Sequence, residues 1–206
     1  MITFATFGPK GTNHERVTGE YIRFHGIENA RIELVPNFEQ ATRGLLNGDF
    51  DFVVQCAVHP ETPETMGSHF HRMFAVDSFI SRSKELAILT RKEVETPRTI
   101  GLLSPATESY IDPDRWETLI PGASLPIIFD NLLNGAYDSA LVYLEYAAQF
   151  PDRVRVDAIL GSPDDVWIVY GRERTSGGKL QASRDAPIRR LLREKGAKFR
   201  EEKEAV

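Results

Sequence analysis

A chain of 206 residues is long enough for one large domain or two small lobes, each with its own apolar core. With 41% hydrophobic and 27% charged residues it is globular, and neither disordered nor fibrous. The net charge is −5, and residues 184–206 run against it with eight Lys/Arg and five Asp/Glu, so the remainder lacks the basic face that a nucleic acid requires.

Residues 2–7, Ile-Thr-Phe-Ala-Thr-Phe, read as a strand stopped by Gly8-Pro9, not as an export signal. A helical pattern follows, with Thr12 or Asn13 as N-cap and Val17, Tyr21, Ile22 and Phe24 before Gly26. Residues 31–35 alternate as a second strand. Phe38, Ala41, Leu45 and Leu46 recur at helical spacing until Asn47-Gly48, and residues 51–55 form a third, apolar strand. Strand–helix–strand–helix–strand predicts a parallel sheet with helices on its faces.

Residues 73–76, 85–90 and 99–103 read as further strands, with Phe79-Ile80 between the first two. The third ends in Ser104-Pro105-Ala106-Thr107. Residues 108–110 and 114–119 read as helical turns, 124–128 as a strand, and 130–133 as a helix closed by Asn134-Gly135. Residues 139–143 read as a strand, 144–150 as a helix, and 154–160 and 166–170 as strands. After a polar linker over 175–183, residues 184–199 read as an amphipathic helix carrying Ile188, Leu191 and Leu192, a contact available to a homodimer.

Two such units predict an α/β fold of two lobes with mixed, mainly parallel sheets around a central cleft. The first lobe is expected over residues 1–78 with 156–206 and the second over 79–155. Two crossings, at 79–89 and 154–170, make the cleft a hinge, and such clefts commonly hold ligands. The lone cysteine, Cys56, cannot form an internal disulfide and fits a reducing compartment. No apolar run approaches the roughly 18 residues of a membrane span. The expectation is therefore a cytoplasmic chain with neither a membrane nor a nucleic acid as partner.

The strongest local signal is Phe7-Gly8-Pro9-Lys10-Gly11-Thr12-Asn13-His14-Glu15, between a strand and a helix. Gly8 and Gly11 allow a ligand close to the backbone. N–H groups at the helix start and the positive end of its dipole favour an anion, and Thr12 and Asn13 add side-chain donors. The same segment equally describes an ordinary capped turn. It lacks the spacing of a phosphate-binding P-loop. His14, beside this motif, and His59, after the third strand, are candidates for binding a carboxylate or delivering a proton. His69 and His71 alternate as metal ligands can, but no metal is expected, and Cys56 reads as a buried apolar residue. Ser104, Ala106 and Thr107 close the first long strand of the second lobe and could bind a second carboxylate. Ser81 and Arg82 lie on the outgoing connection, and Arg82 or Arg91 could clamp a carboxylate.

Gly8-Pro9-Lys10-Gly11-Thr12, with Phe38-Glu39, Gly48-Asp49-Phe50-Asp51 and the apolar strand after them, resembles prephenate dehydratase catalytic domains. The resemblance extends over residues 1–173 and implies a two-lobed fold similar to type 2 periplasmic binding proteins. Two departures stand out. The family's Pro-Ile-Glu-Asn-Ser stretch is replaced by Cys56-Ala57-Val58-His59-Pro60, and its Thr-Arg-Phe triplet by Asp165-Val166-Trp167. The family's dehydrating threonine is thus replaced by Asp165, and Trp167 stands in the Phe position. That pattern looks like the prephenate decarboxylases of bacilysin-type pathways. The resemblance implies a cofactor-free decarboxylase or related lyase for a small prephenate-like carboxylic acid. The alternatives are a non-catalytic cytoplasmic carboxylate-binding protein and a dehydratase with altered catalytic residues.

Overall fold

β-branched and aromatic residues build β1 (Ile2–Phe7), which buries Phe4 and Ala5. In the computed structural model β1 lies parallel between β2 (Ala30–Val35) and β3 (Phe52–Cys56). The crossovers are α1 (Asn13–Phe24) and α2 (Phe38–Asn47), as the apolar spacing requires. Asn37 caps α2 by accepting the Gln40 N–H, and Gly48 ends it at φ 88°, a left-handed conformation that glycine adopts without strain. After α3 (Thr62–Ser68), β4 (Phe74–Arg82) and the later β10 (Asp164–Gly171) complete the sheet, order β2-β1-β3-β10-β4. β10 is antiparallel to both its neighbours.

The second sheet repeats this plan. β6 (Thr99–Leu102) lies parallel between β7 (Thr118–Pro121) and β8 (Ser139–Tyr143). β5 (Leu86–Arg91) and β9 (Val154–Gly161) add antiparallel strands, giving the order β7-β6-β8-β5-β9. α4 (Leu125–Leu133) follows β7, and α5 (Glu145–Gln149) follows β8. Ile100, Leu102, Ile128, Leu132 and Leu141 form the core of this sheet without measurable exposure. The first sheet buries Phe38, Ala41 and Leu45 in one cluster and Phe4, Val17 and Trp167 in another.

The structure describes residues 1–183, 188 and 190–193, in two compact units, Met1–Arg174 and Thr175–Val206. Both sheets belong to the first unit. Of the helix expected over 184–199, residues 188 and 190–193 are helical, with Ile188, Leu191 and Leu192 exposed, and the rest lies outside the described residues. Among the described residues no helix is long and apolar enough to cross a membrane.

Three local readings change. Residues 73–76 and 79–80 merge into the single strand β4, whose register with β10 runs to Arg82 opposite Asp164. The chain therefore passes between sheets at residues 83–85 and 162–163, with 79–82 still paired in the first sheet. Residues 118–121 form β7, where the tail of a helical turn was expected. Residues 125–128 open α4 instead of forming a strand. Pro126 has no N–H for a ladder bond, and its fixed φ suits a first helical turn.

Candidate functional site

Parallel strands present ligand sites beyond their carboxyl ends, where the loops diverge. Here the carboxyl ends of all six parallel strands border one cavity of about 380 Å³. Phe7, Pro36 and Cys56 come from the ends of β1, β2 and β3. Leu103-Ser104, Gly122 and Tyr143 come from the ends of β6, β7 and β8. Trp167 and Asp165 of β10, with Ser83 and Pro163 from the two crossings, complete the wall. Among the described residues lining it there is no Lys and no Arg.

Of the residues singled out from sequence, Thr12, Asn13, His14, His59, Ser104, Ala106, Thr107, Asp165 and Trp167 line this cavity. Gly11, Ser81 and Arg82 do not. The Ser81 hydroxyl reaches Glu20 at 3.4 Å, and Arg82, its side chain 75% exposed, faces Asp164 at 3.5 Å. Arg91 is likewise engaged elsewhere, by Glu93 and Asp138. His69 and His71 stand outside the cavity, and His69 borders a separate hollow beside Glu39 and Glu64.

The glycine-rich turn is differently employed from the anion cradle its sequence suggests. The Gly11 N–H donates to Glu15 at 2.5 Å, the Asn13 N–H to the Tyr143 hydroxyl at 2.9 Å, and the Glu15 N–H to the Thr12 hydroxyl at 3.3 Å. That hydroxyl donates to the Phe7 carbonyl at 3.1 Å. The Asn13 amide donates to Ser83 at 2.8 Å and accepts the Lys84 N–H at 2.9 Å. Lys84 Nζ donates to the Gly11 carbonyl at 3.0 Å and pairs with Glu145 at 2.8 Å. Most donors of this turn are therefore occupied by protein, and through Tyr143 and Lys84 the turn joins one sheet to the other.

Behind it lies a buried group of ionisable side chains. His14 Nε2 accepts the Cys56 N–H at 3.3 Å, and its ring packs against Trp167 at 5.0 Å and His59 at 5.6 Å between centroids. Burial, then the charge of His59, hold its pKa down to about 3. His59 Nδ1 accepts the Glu61 N–H at 3.2 Å, and burial lowers its pKa despite the nearby Glu61. Each ring is thus neutral, with its acceptor nitrogen fixed by the backbone and its proton on the other. Burial, then Asp165, push the Cys56 thiol up to about 12, so it is no nucleophile at neutral pH. Asp165, 8% exposed, accepts a short hydrogen bond from Ser83. Burial raises its pKa, with the Ser83 bond and Arg16 opposing. Tyr110, raised by burial and then by Asp165 and Cys56, lines the same end of the cavity.

Beyond β6, Ser104 donates a short hydrogen bond to Glu108, and Thr107 donates to the Leu103 carbonyl at 3.0 Å. Both protons are directed at protein, so these hydroxyls offer a ligand acceptors only. Sequence reasoning missed Ser83, Tyr110, Tyr143 and the head of α4, residues 122–125, all of which line the cavity. For the last the signal was present: Ser124-Leu125-Pro126 is an N-cap followed by a first-turn proline.

No protein-family model matches the chain, and no curated protein matches it either. Solved structures do. A prephenate dehydratase from Arthrobacter aurescens superposes with a TM-score of 0.60 at 16% identity, over 87% of this chain and 63% of that one. The chain thus spans less than two thirds of that protein's length. The Staphylococcus aureus prephenate dehydratase gives 0.56 at 11% identity, covering 84% of this chain and 67% of that one. The periplasmic VFT2 domain of Bordetella pertussis BvgS gives 0.53 at 13%, covering 82% and 80%. At such identities the likeness is one of fold: a two-lobed α/β architecture similar to that of prephenate dehydratases and of periplasmic binding domains.

Proposed function

We propose that the chain is a lyase that decarboxylates a small, largely apolar, prephenate-like carboxylic acid held between the two sheets. One observation carries this reading: a mainly apolar cavity, with no Lys or Arg among the described residues that line it, has its most buried carboxyl group, Asp165, held toward the protonated form. Apolar walls strip water from a carboxylate whose charge disperses as carbon dioxide forms, which favours the transition state over the bound acid. The bond from carboxyl carbon to the skeleton breaks, and its electron pair passes into the conjugated substrate. A proton from Asp165 then caps the carbon that received it, and water reprotonates Asp165 after product leaves. The acid is Asp165 and not His14 or His59, because a neutral imidazole surrenders its remaining N–H proton too reluctantly. The two rings instead shape the wall and offer N–H donors.

The test is carbon dioxide release from prephenate and from related cyclic dienoic acids, with the organic product identified alongside. Asp165→Asn is expected to lower kcat by about 100-fold or more. Wild-type activity is expected to fall as pH rises through the raised Asp165 pKa, because the acid must be protonated. Formation of phenylpyruvate in place of a non-aromatic product would make the protein a dehydratase. No gas release from any acid of the panel defeats the proposal.

A further inference from the structure

Among the described residues lining the cavity, one buried side-chain polar atom has no hydrogen-bond partner. Ser124 is 3% exposed and lines the cavity, and its Oγ is buried without a hydrogen-bond partner. A buried hydroxyl with nothing to bond is costly and calls for an explanation. Ser124 occupies the N-cap position of α4, a nine-residue helix, in the extended conformation of a cap (φ −159°, ψ 155°). Yet its side chain makes no capping bond. The first intrahelical bond runs from the Ile128 N–H to the Ser124 carbonyl at 2.8 Å. The Leu125 and Ile127 N–H groups precede it and have no acceptor within the helix. Pro126 contributes no donor.

The loop leading into this helix head is held tightly. The Gly122 N–H donates to the Leu102 carbonyl at 2.9 Å, and a Cβ at 122 would stand 2.2 Å from Ile128 Cγ1. Only glycine allows the chain to turn from β7 into α4 at this distance.

We propose that the head of α4, with Ser124 Oγ and the first-turn N–H groups, seats a carboxylate of the ligand. Such an anion accepts the hydroxyl proton, satisfies the first-turn amides and lies at the positive end of the helix dipole. This supplies a charge complement that no Lys or Arg among the described lining residues gives. It also orients the ligand. Asp165, Tyr110 and Cys56 line the same cavity, and Asp165 and Cys56 both act on Tyr110. The subsite deepens the lyase reading, and rests on it only for the identity of the acid. The carboxylate seated at α4 is the one retained, and the group undergoing reaction lies toward Asp165.

Binding decides the matter separately from turnover. Wild-type protein is titrated with phenylacetate and with its neutral amide, phenylacetamide, by calorimetry. The acid is expected to bind about tenfold more tightly than the amide. Ser124→Ala is expected to cut that preference severalfold while leaving Tm in place. Equal binding of the two probes by wild type, binding of neither, or an unchanged preference in Ser124→Ala overturns the subsite. If carbon dioxide is released and Ser124→Ala keeps its acid preference, the subsite fails and the lyase stands. A preference cut in the variant without any gas release has the opposite meaning.

Discussion

At the head of α1 the Gly11, Asn13 and Glu15 N–H groups all donate to protein oxygens, and at the head of α4 the Ser124 side chain bonds to nothing. Both helices follow a parallel strand, and both heads border the same cavity. The difference lies in what stands opposite. Tyr143, Ser83 and Lys84 reach α1 from the second sheet and the outgoing crossing, which converts its turn into a joint. A helix head can therefore serve as an anion site or as a fastening. Its backbone geometry does not decide between the two; its neighbours do.

The most severe way to break this comparison is Asn13→Ala. The substitution removes a donor to Ser83, leaves the Lys84 N–H without its acceptor, and frees the Ser83 hydroxyl that holds Asp165. Loss of about 2–4 kcal/mol is expected in urea unfolding, the range for dismantling a partly buried polar network. A cost below about 0.5 kcal/mol would show that the turn is not a joint.

Next in size is a pH effect from the buried ring behind that joint. His14 has a pKa of about 3 when folded and an ordinary value near 6.5 when unfolded. The unfolded chain therefore binds the proton first as pH falls, and stability declines with it. The contribution is fully present above about pH 6.5 and is lost progressively toward pH 3. From pH 7 to pH 5 the expected loss from His14 is about 2 kcal/mol. His59, lowered in the same direction, adds to it. Unfolding followed at both pH values checks this. A His14→Gln variant with an unaltered slope would mean that the ring is solvated and the cavity open to water.

Much of this architecture could be read from the chain, for identifiable reasons. The first three strands and two helices are governed by local period and caps: Val17 and Tyr21 on α1, Phe38, Ala41 and Leu45 on α2, and Gly48 as terminator. The second sheet was harder to read because Pro121 and Pro126 bracket four residues, 122–125, among which the extended N-cap Ser124 imitates a strand. The candidate cavity was legible in part. Thr12, His14, His59 and Asp165 line it, the first two at the start of α1, His59 just past β3 and Asp165 at the start of β10. What each hydrogen bond is doing depends on contacts as distant as 130 residues, such as Asn13 with Tyr143. No sequence window reveals that the amides of the glycine-rich turn are occupied, nor that Ser104 and Thr107 turn their protons inward.

The smallest expected effect sharpens the comparison most. Replacing an N-cap serine or threonine by alanine commonly costs about 1 kcal/mol, because the side chain accepts a first-turn N–H. Thr12 does so at α1, accepting from Glu15 at 3.3 Å and donating to Phe7 at 3.1 Å, and Thr12→Ala is expected to cost about 1–2 kcal/mol. Ser124 makes neither kind of bond, and Ser124→Ala removes a buried hydroxyl that has no partner. Its expected effect on unfolding free energy in the absence of ligand lies within about 0.5 kcal/mol of zero, on the stabilising side if it departs. The two substitutions are chemically alike and occupy equivalent helical positions, so helix propensity cancels between them. A Ser124→Ala cost equal to that of Thr12→Ala would mean that the hydroxyl caps α4 in solution. The head of α4 would then be occupied by its own chain, as α1 is, and no ligand carboxylate would find its donors available.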